Sequence, residues 1–230
     1  MIRSYEDFVE ALLQCGFCMG GSNPEGIFTL IPWDWREEPP EGSPVRWHTG
    51  DPQTDPWEWY SRIVTERRDI ACAKLFFKKT GYLTRAWYPY FLAVRRRGRG
   101  LEEEYADGTV SRLEKQVYDC VSAGPIAYHN LKAALDVTGK EQSRLERAVT
   151  SLQSRMYITS CGKEQKISQA GLPYGWPSVV FCTTEAFMGE DVFEKAAQIA
   201  EQEAIEAIEG QVYRLNPQAV PKAVHTFIHG

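Results

Sequence analysis

The densest run of chemically capable side chains is RWHTGDPQTDPWEW, residues 46–59. Indole rings can stack on an extruded base, and a carboxylate beside them can act as a general base or stabilise a cation. On that reading Asp51 and Asp55 are candidate catalytic groups, and Arg46, Trp47, His48, Trp57 and Trp59 line the pocket. The same residues also read as a proline-rich loop pinned to the core by its tryptophans, with Asp51 in a turn and Asp55 capping a helix. The structural reading is preferred, because Asp-Pro pairs and Asp caps recur for purely structural reasons.

A second candidate lies on the segment from Lys140 to Met156. Leu145, Ala148, Val149, Leu152 and Met156 recur at helical spacing and predict a buried stripe. The opposite face carries Lys140, Gln142, Ser143, Arg144, Arg147 and Arg155. Guanidinium and amide groups suit phosphates and base edges. Glu141 and Glu146 lie on the same helix and would repel phosphate, so a solvated face of mixed charge is the competing and preferred reading.

Other features say less. Arg95, Arg96, Arg97 and Arg99 form a denser positive run, but Glu102, Glu103 and Glu104 follow closely and are expected to pair with them. Tyr174 and Trp176 sit where a β-hairpin tip is expected; they could wedge into a minor groove, but are expected to fold back on the core. The six cysteines include one CxxC, Cys15 and Cys18, without a second pair or histidines at ligand spacing. They are read as small buried groups, with no metal and no cofactor expected. GGSNPEG lacks the lysine and Ser/Thr of a phosphate-binding loop and is read as a turn.

These residues must be held by ordinary globular elements. The 230 residues are 43% hydrophobic and 25% charged, which excludes extensive disorder. No apolar run is long enough to span a bilayer, and the N-terminal acids do not suit a signal peptide, so a cytoplasmic protein without membrane contact is expected. The net charge of −5 is uneven. Residues 190–209 hold seven acids and one base, leaving the rest at 25 bases and 24 acids. An acidic helix therefore masks a nearly neutral body, which weakens the objection to a nucleic-acid partner without creating a basic footprint.

Along the chain, Ser4 and Asp7 open a helix to Gln14, and residues 15–26 read as loop. Ile27–Ile31 suggests a short strand. Asp55-Pro56 opens a second helix, ending near Arg67. Ala71–Lys78 and Tyr82–Trp87 read as a hairpin turning at Thr80-Gly81, followed by a helix over Tyr90–Arg97. RRRGRGLEEEYADG reads as a boundary between two units. Beyond it come helices from Ser111, over Asn130–Leu135 and over Lys140–Met156. A strand at 157–161, a polar excursion at 162–177 and a returning strand at 178–183 then follow. One long helix is expected over Glu190–Arg214, stopped by Asn216-Pro217.

RWHTGDPQTDPWEW, DIACAKLFFKKTGYLTRAWYPYFLAVRR and YGWPSVVFCTTEAF together resemble a group of bacterial proteins described as AlkZ-related. The similarity spans roughly Trp33 to Phe187. AlkZ-type proteins are DNA glycosylases built from winged helices. They excise bulky alkylated purines with a Gln-x-Gln or Gln-x-Asp pair that holds a water. The one Gln-x-Asp in this chain is Gln53-Thr54-Asp55, with a polar middle residue and a proline after it. The resemblance therefore implies the scaffold and a connection to DNA, and does not carry glycosylase activity across.

The resulting expectation is an α+β protein. Residues 1–100 form an N-terminal helix-and-hairpin unit, 108–187 a winged-helix domain, and 188–230 an acidic C-terminal helix closing against the body. Double-stranded DNA is the expected partner, with alkylated-base repair as the associated role. The alternative is a protein–protein interaction module or a homo-oligomer built on the winged helix and the acidic helix.

Overall fold

The computed structural model describes residues 1–139 and 141–230, so Lys140 lies outside the described residues. It is a mixed α+β structure around one antiparallel six-stranded sheet of order β1-β3-β2-β5-β6-β4. Helix α1 (Tyr5–Cys15) starts where Ser4 accepts from the Asp7 amide at 3.1 Å and buries Tyr5, Phe8, Val9 and Leu12. Gly16 ends it with φ +89, and a Cβ there would lie 2.1 Å from the Trp87 ring. Strand β1 (Phe17–Met19) follows where a loop was expected. Buried at all three positions, it lacks the alternation that marks a half-exposed strand. Ile27–Ile31 makes only an isolated bridge, Thr29 to Met19.

Helix α2 (Pro56–Glu66) leads to strands β2 (Ile70–Phe76) and β3 (Lys79–Thr84). Their hairpin turns at Phe77-Lys78, with Phe76 opposite Lys79, and not at Thr80-Gly81. Gly81 instead sits in β3 beneath the Phe76 ring, where a Cβ would come within 2.3 Å of that ring. Helix α3 (Tyr88–Arg95) then enters the core. The expected linker contains a short helix, α4 (Leu101–Ala106). Its start is set by the Glu103 carboxylate accepting from the Gly100 amide, a local capping bond that a charge-based reading overlooks.

The next segment runs α5 (Arg112–Ser122), β4 (Ile126–Ala127), α6 (Tyr128–Ala134), α7 (Gln142–Ser154), β5 (Ile158–Ile167) and β6 (Pro173–Thr183). Val117, Leu131, Leu145, Leu152 and Phe181 form its core. Both strands run well past the body, leaving only residues 168–172 as the turn. The sheet is continuous across the chain: Cys72 of β2 pairs with Ser160 of β5, and the Lys74 amide donates to Gln153 Oε1 at 3.0 Å.

After α8 (Thr184–Met188), the expected long helix is two, α9 (Glu190–Gln198) and α10 (Glu201–Leu215). The extended Ile199 and Ala200 separate them. No breaker residue marks this point; α9 buries Val192 and α10 buries Ala204, Ile208 and Val212 against the same core, which a kinked path satisfies. A last helix, α11 (Pro221–His229), seats Phe227 on Phe76 with ring centroids 4.1 Å apart. Among the described residues, no helix is long and apolar enough to cross a membrane.

Candidate functional site

The tryptophan-rich segment is built into the fold. Trp59 is fully buried and stacks on Phe8 at 5.1 Å. Trp47 is partly buried and donates from its indole nitrogen to the Trp33 carbonyl at 3.1 Å. Trp57 is 40% exposed and packs beside His48, whose φ is +61. Arg46 is turned onto the carbonyls of Ser43 and Val45, at 2.6 and 2.9 Å. Asp55 is fully buried and caps α2, accepting from the Trp57 amide at 2.8 Å and the Gly50 amide at 2.9 Å. Asp51 accepts from the Gln53 amide at 2.9 Å and the Thr54 hydroxyl at 2.7 Å, and these bonds hold its carboxyl below the usual range. The space between Trp47, Trp59, Tyr82 and Phe8 is about 10 Å³, room for one water and not for a base.

The arginine run is also occupied, by partners other than those expected. Arg95 donates to four carbonyls: Leu75 at 2.7 Å, Ser154 at 2.9 Å, Phe227 at 2.5 Å and Ile228 at 2.9 Å. Burial pushes its pKa down to about 10. Arg96 pairs with Glu185 at 2.5 Å over the Tyr157 ring, Arg97 with Glu201 at 2.8 Å, and Arg99 with Asp107. The three glutamates expected to neutralise this run go elsewhere. Glu102 meets Lys115 at 3.0 Å, Glu103 caps α4, and Glu104 binds Arg155.

The outward residues of α7 divide. Arg155 is held by Glu104 and by the Thr109 carbonyl at 2.9 Å. Gln142 accepts from Lys132 at 3.0 Å and donates to Glu146 at 2.8 Å. Ser143, Arg144 and Arg147 are exposed, and only a 4.0 Å approach to Glu141 engages Arg144. They border an open groove of about 930 Å³ between α7, the start of α5, the end of α11 and the β2–β3 turn. Those neighbours bring Arg112, His229 and Lys78 to the same groove. Lys78, Arg112 and Arg147 are exposed and have no polar partner among the described residues. Two acids also line it, and both are engaged: Glu114 accepts from the Ser111 amide at 2.7 Å, and Glu146 from Gln142.

Burial pushes the Glu114 carboxyl up, but bonds from Ser111 and Ser151 and the charge of Arg155 together hold it below its ordinary value. Lysines and arginines outnumber the two acids along this lining, which gives the groove a net positive charge suited to a polyanion backbone. Sequence reasoning found its α7 wall through the polar face of an amphipathic helix. It missed Lys78, Arg112 and His229, for which spacing along the chain carries no signal.

A family model described as AlkZ related matches residues 2–229, nearly the whole chain. The chain belongs to the AlkZ-related family. That membership suggests a role related to DNA repair. No curated protein and no solved structure gives a significant match. For this family member the matched span includes both the tryptophan-rich segment and the groove. Two further sequence readings can be placed. Cys15 and Cys18 are buried, and burial pushes the Cys15 thiol up to about 11. Tyr174 and Trp176, expected to fold back, are 55% and 79% exposed because the hairpin carries them beyond the body.

Proposed function

We propose that this AlkZ-related protein associates with double-stranded DNA through a winged-helix unit, residues 108–187, holding the phosphodiester backbone in the groove beside α7. The helix–strand–helix–helix–strand–strand order of that unit supports the winged-helix reading. The observation that carries the DNA reading is the set of exposed cations without polar partners among the described residues, Lys78, Arg112 and Arg147, converging on one groove from three elements. The net charge of −5 does not oppose it, because residues 190–209 hold seven acids and one base, which leaves the rest of the chain at 25 bases and 24 acids. Base chemistry at Asp51 or Asp55 is not part of the proposal, since both carboxylates are occupied by backbone amides. Titration of labelled duplex by anisotropy at low and physiological salt tests the reading. Binding that weakens steeply with salt is expected, and absence of binding at low salt removes it.

A second reading has its own observation. Ile167, Leu172, Tyr174 and Trp176 lie exposed near the hairpin end, at 55% to 79% of full exposure, and would suit a second copy of the chain. Light scattering decides it: a dimer dispersed by Trp176→Ser supports this reading, and a monomer at all concentrations ends it.

A further inference from the structure

The turn between β2 and β3 is built against local preference. Phe76 opposite Lys79 leaves a two-residue loop, Phe77-Lys78. Both residues are left-handed, with φ of +51 and +60, and neither is glycine. A loop of this kind strongly prefers Asn-Gly, because side chains crowd the backbone when φ is positive. Among the described residues no other two adjacent non-glycine residues share positive φ. A turn-competent pair, Thr80-Gly81, lies two residues further on, yet the chain does not turn there. Gly81 is committed beneath the Phe76 ring, so the register places the strained pair at the turn, where its strain can serve a use.

The use is legible in what the turn presents. Lys79, the next residue, pairs with Glu25 at 2.5 Å. Lys78 is exposed, has no partner among the described residues, and lines the groove opposite the α7 arginines. Partly buried Phe77 packs toward Phe227 of α11, which fixes the base of the turn. We propose that Lys78 is a phosphate-binding residue, delivered by this strained turn from outside the winged-helix unit so that two parts of the chain grip one nucleic-acid backbone. The inference rests on the DNA reading above, which already counts Lys78 among the cations of the groove, and adds to it the strained turn as the device that delivers that residue.

The test uses the full chain and one labelled DNA duplex, with melting temperature measured alongside binding. Lys78→Gly removes the charge and relieves the turn. It is expected to raise the melting temperature while weakening duplex binding roughly tenfold at low salt and flattening the slope of log affinity on log salt by about 0.9, the share of one phosphate contact. Lys78→Asn tolerates the left-handed backbone and should lose binding equally, and Lys78→Arg should retain both affinity and slope. If the unaltered protein binds duplex and Lys78→Gly binds it with the same affinity and slope, this inference is wrong while the groove reading stands. If the unaltered protein does not bind at low salt, the groove reading falls first.

Discussion

The tryptophan-rich segment and the groove beside α7 invert each other. The segment concentrates aromatic rings, carboxylates and a histidine within residues 46–59, and the fold uses nearly all of them as mortar. Asp55 holds a helix start, Asp51 holds a turn, Arg46 binds carbonyls and Trp59 fills the core. The groove is walled by an ordinary mixed-charge helix face, yet its bases outnumber its two acids, and three of them have no polar partner among the described residues. A polar side chain is free for a ligand when its hydrogen-bonding capacity is not already met by the protein, and residue type along the chain does not report that.

The largest expected effect would blur this contrast. Arg95→Met leaves four carbonyls without their shared donor and should destabilise the fold by about 3 kcal/mol or more, read by chemical denaturation. Because Arg95 ties α7, α11 and β2 together, the same variant should also weaken duplex binding. A loss below about 1 kcal/mol would show that these carbonyls find water. Next, Asp55→Ala should cost about 2 kcal/mol through the lost cap and leave duplex affinity unchanged. A selective loss of DNA binding at wild-type stability would return the tryptophan-rich segment to the functional side.

Arg112→Ala and Arg147→Ala sharpen the comparison from the other side. Each should reduce duplex affinity roughly tenfold at low salt and flatten the salt slope. Their stabilities should stay within about 0.5 kcal/mol of the parent, since neither side chain has a polar partner among the described residues. Unchanged binding by the double variant would empty the groove of its proposed role. The acid limb of stability offers a smaller effect. The Glu114 carboxyl is depressed in the folded state, so its contribution is complete above the unfolded value of about 4.3 and is lost as pH falls through the folded one. Glu114→Gln should therefore lower stability across the neutral range, cost less in acid, and so flatten the stability–pH curve below that value. Smallest of all, Asp51→Ala loosens one exposed turn; the denaturation midpoint should barely move, and DNA binding should not change.

Where a signal is local, the sequence is legible. Ser4 and Asp55 announce α1 and α2 because a cap bonds an amide two or three residues away. The stripes of α5 and α7 announce themselves through period alone. Thr80-Gly81 misleads as a turn because Gly81 is needed under the Phe76 ring, a cross-strand contact that exists only once the register is set. Strand β1, with all three residues buried, and the α9–α10 break, with no glycine or proline, give no periodic or breaker signal. The arginine run is internally paired, as its charge pattern suggests, but with different partners. Glu185 and Glu201 lie about ninety to a hundred residues away, a separation no helical or strand period encodes.

By itself the sequence determined the mixed α+β character, the succession of α5, α6, α7, β5 and β6, and the family to which the chain belongs. These depend on short-range steric and hydrogen-bonding preferences and on hydrophobic period. Tertiary structure alone decided which charges remain available, because solvation and pairing are properties of a three-dimensional neighbourhood. Lys78, Arg112 and Arg147 are set apart from the chain's other bases by lining one groove with no polar partner among the described residues.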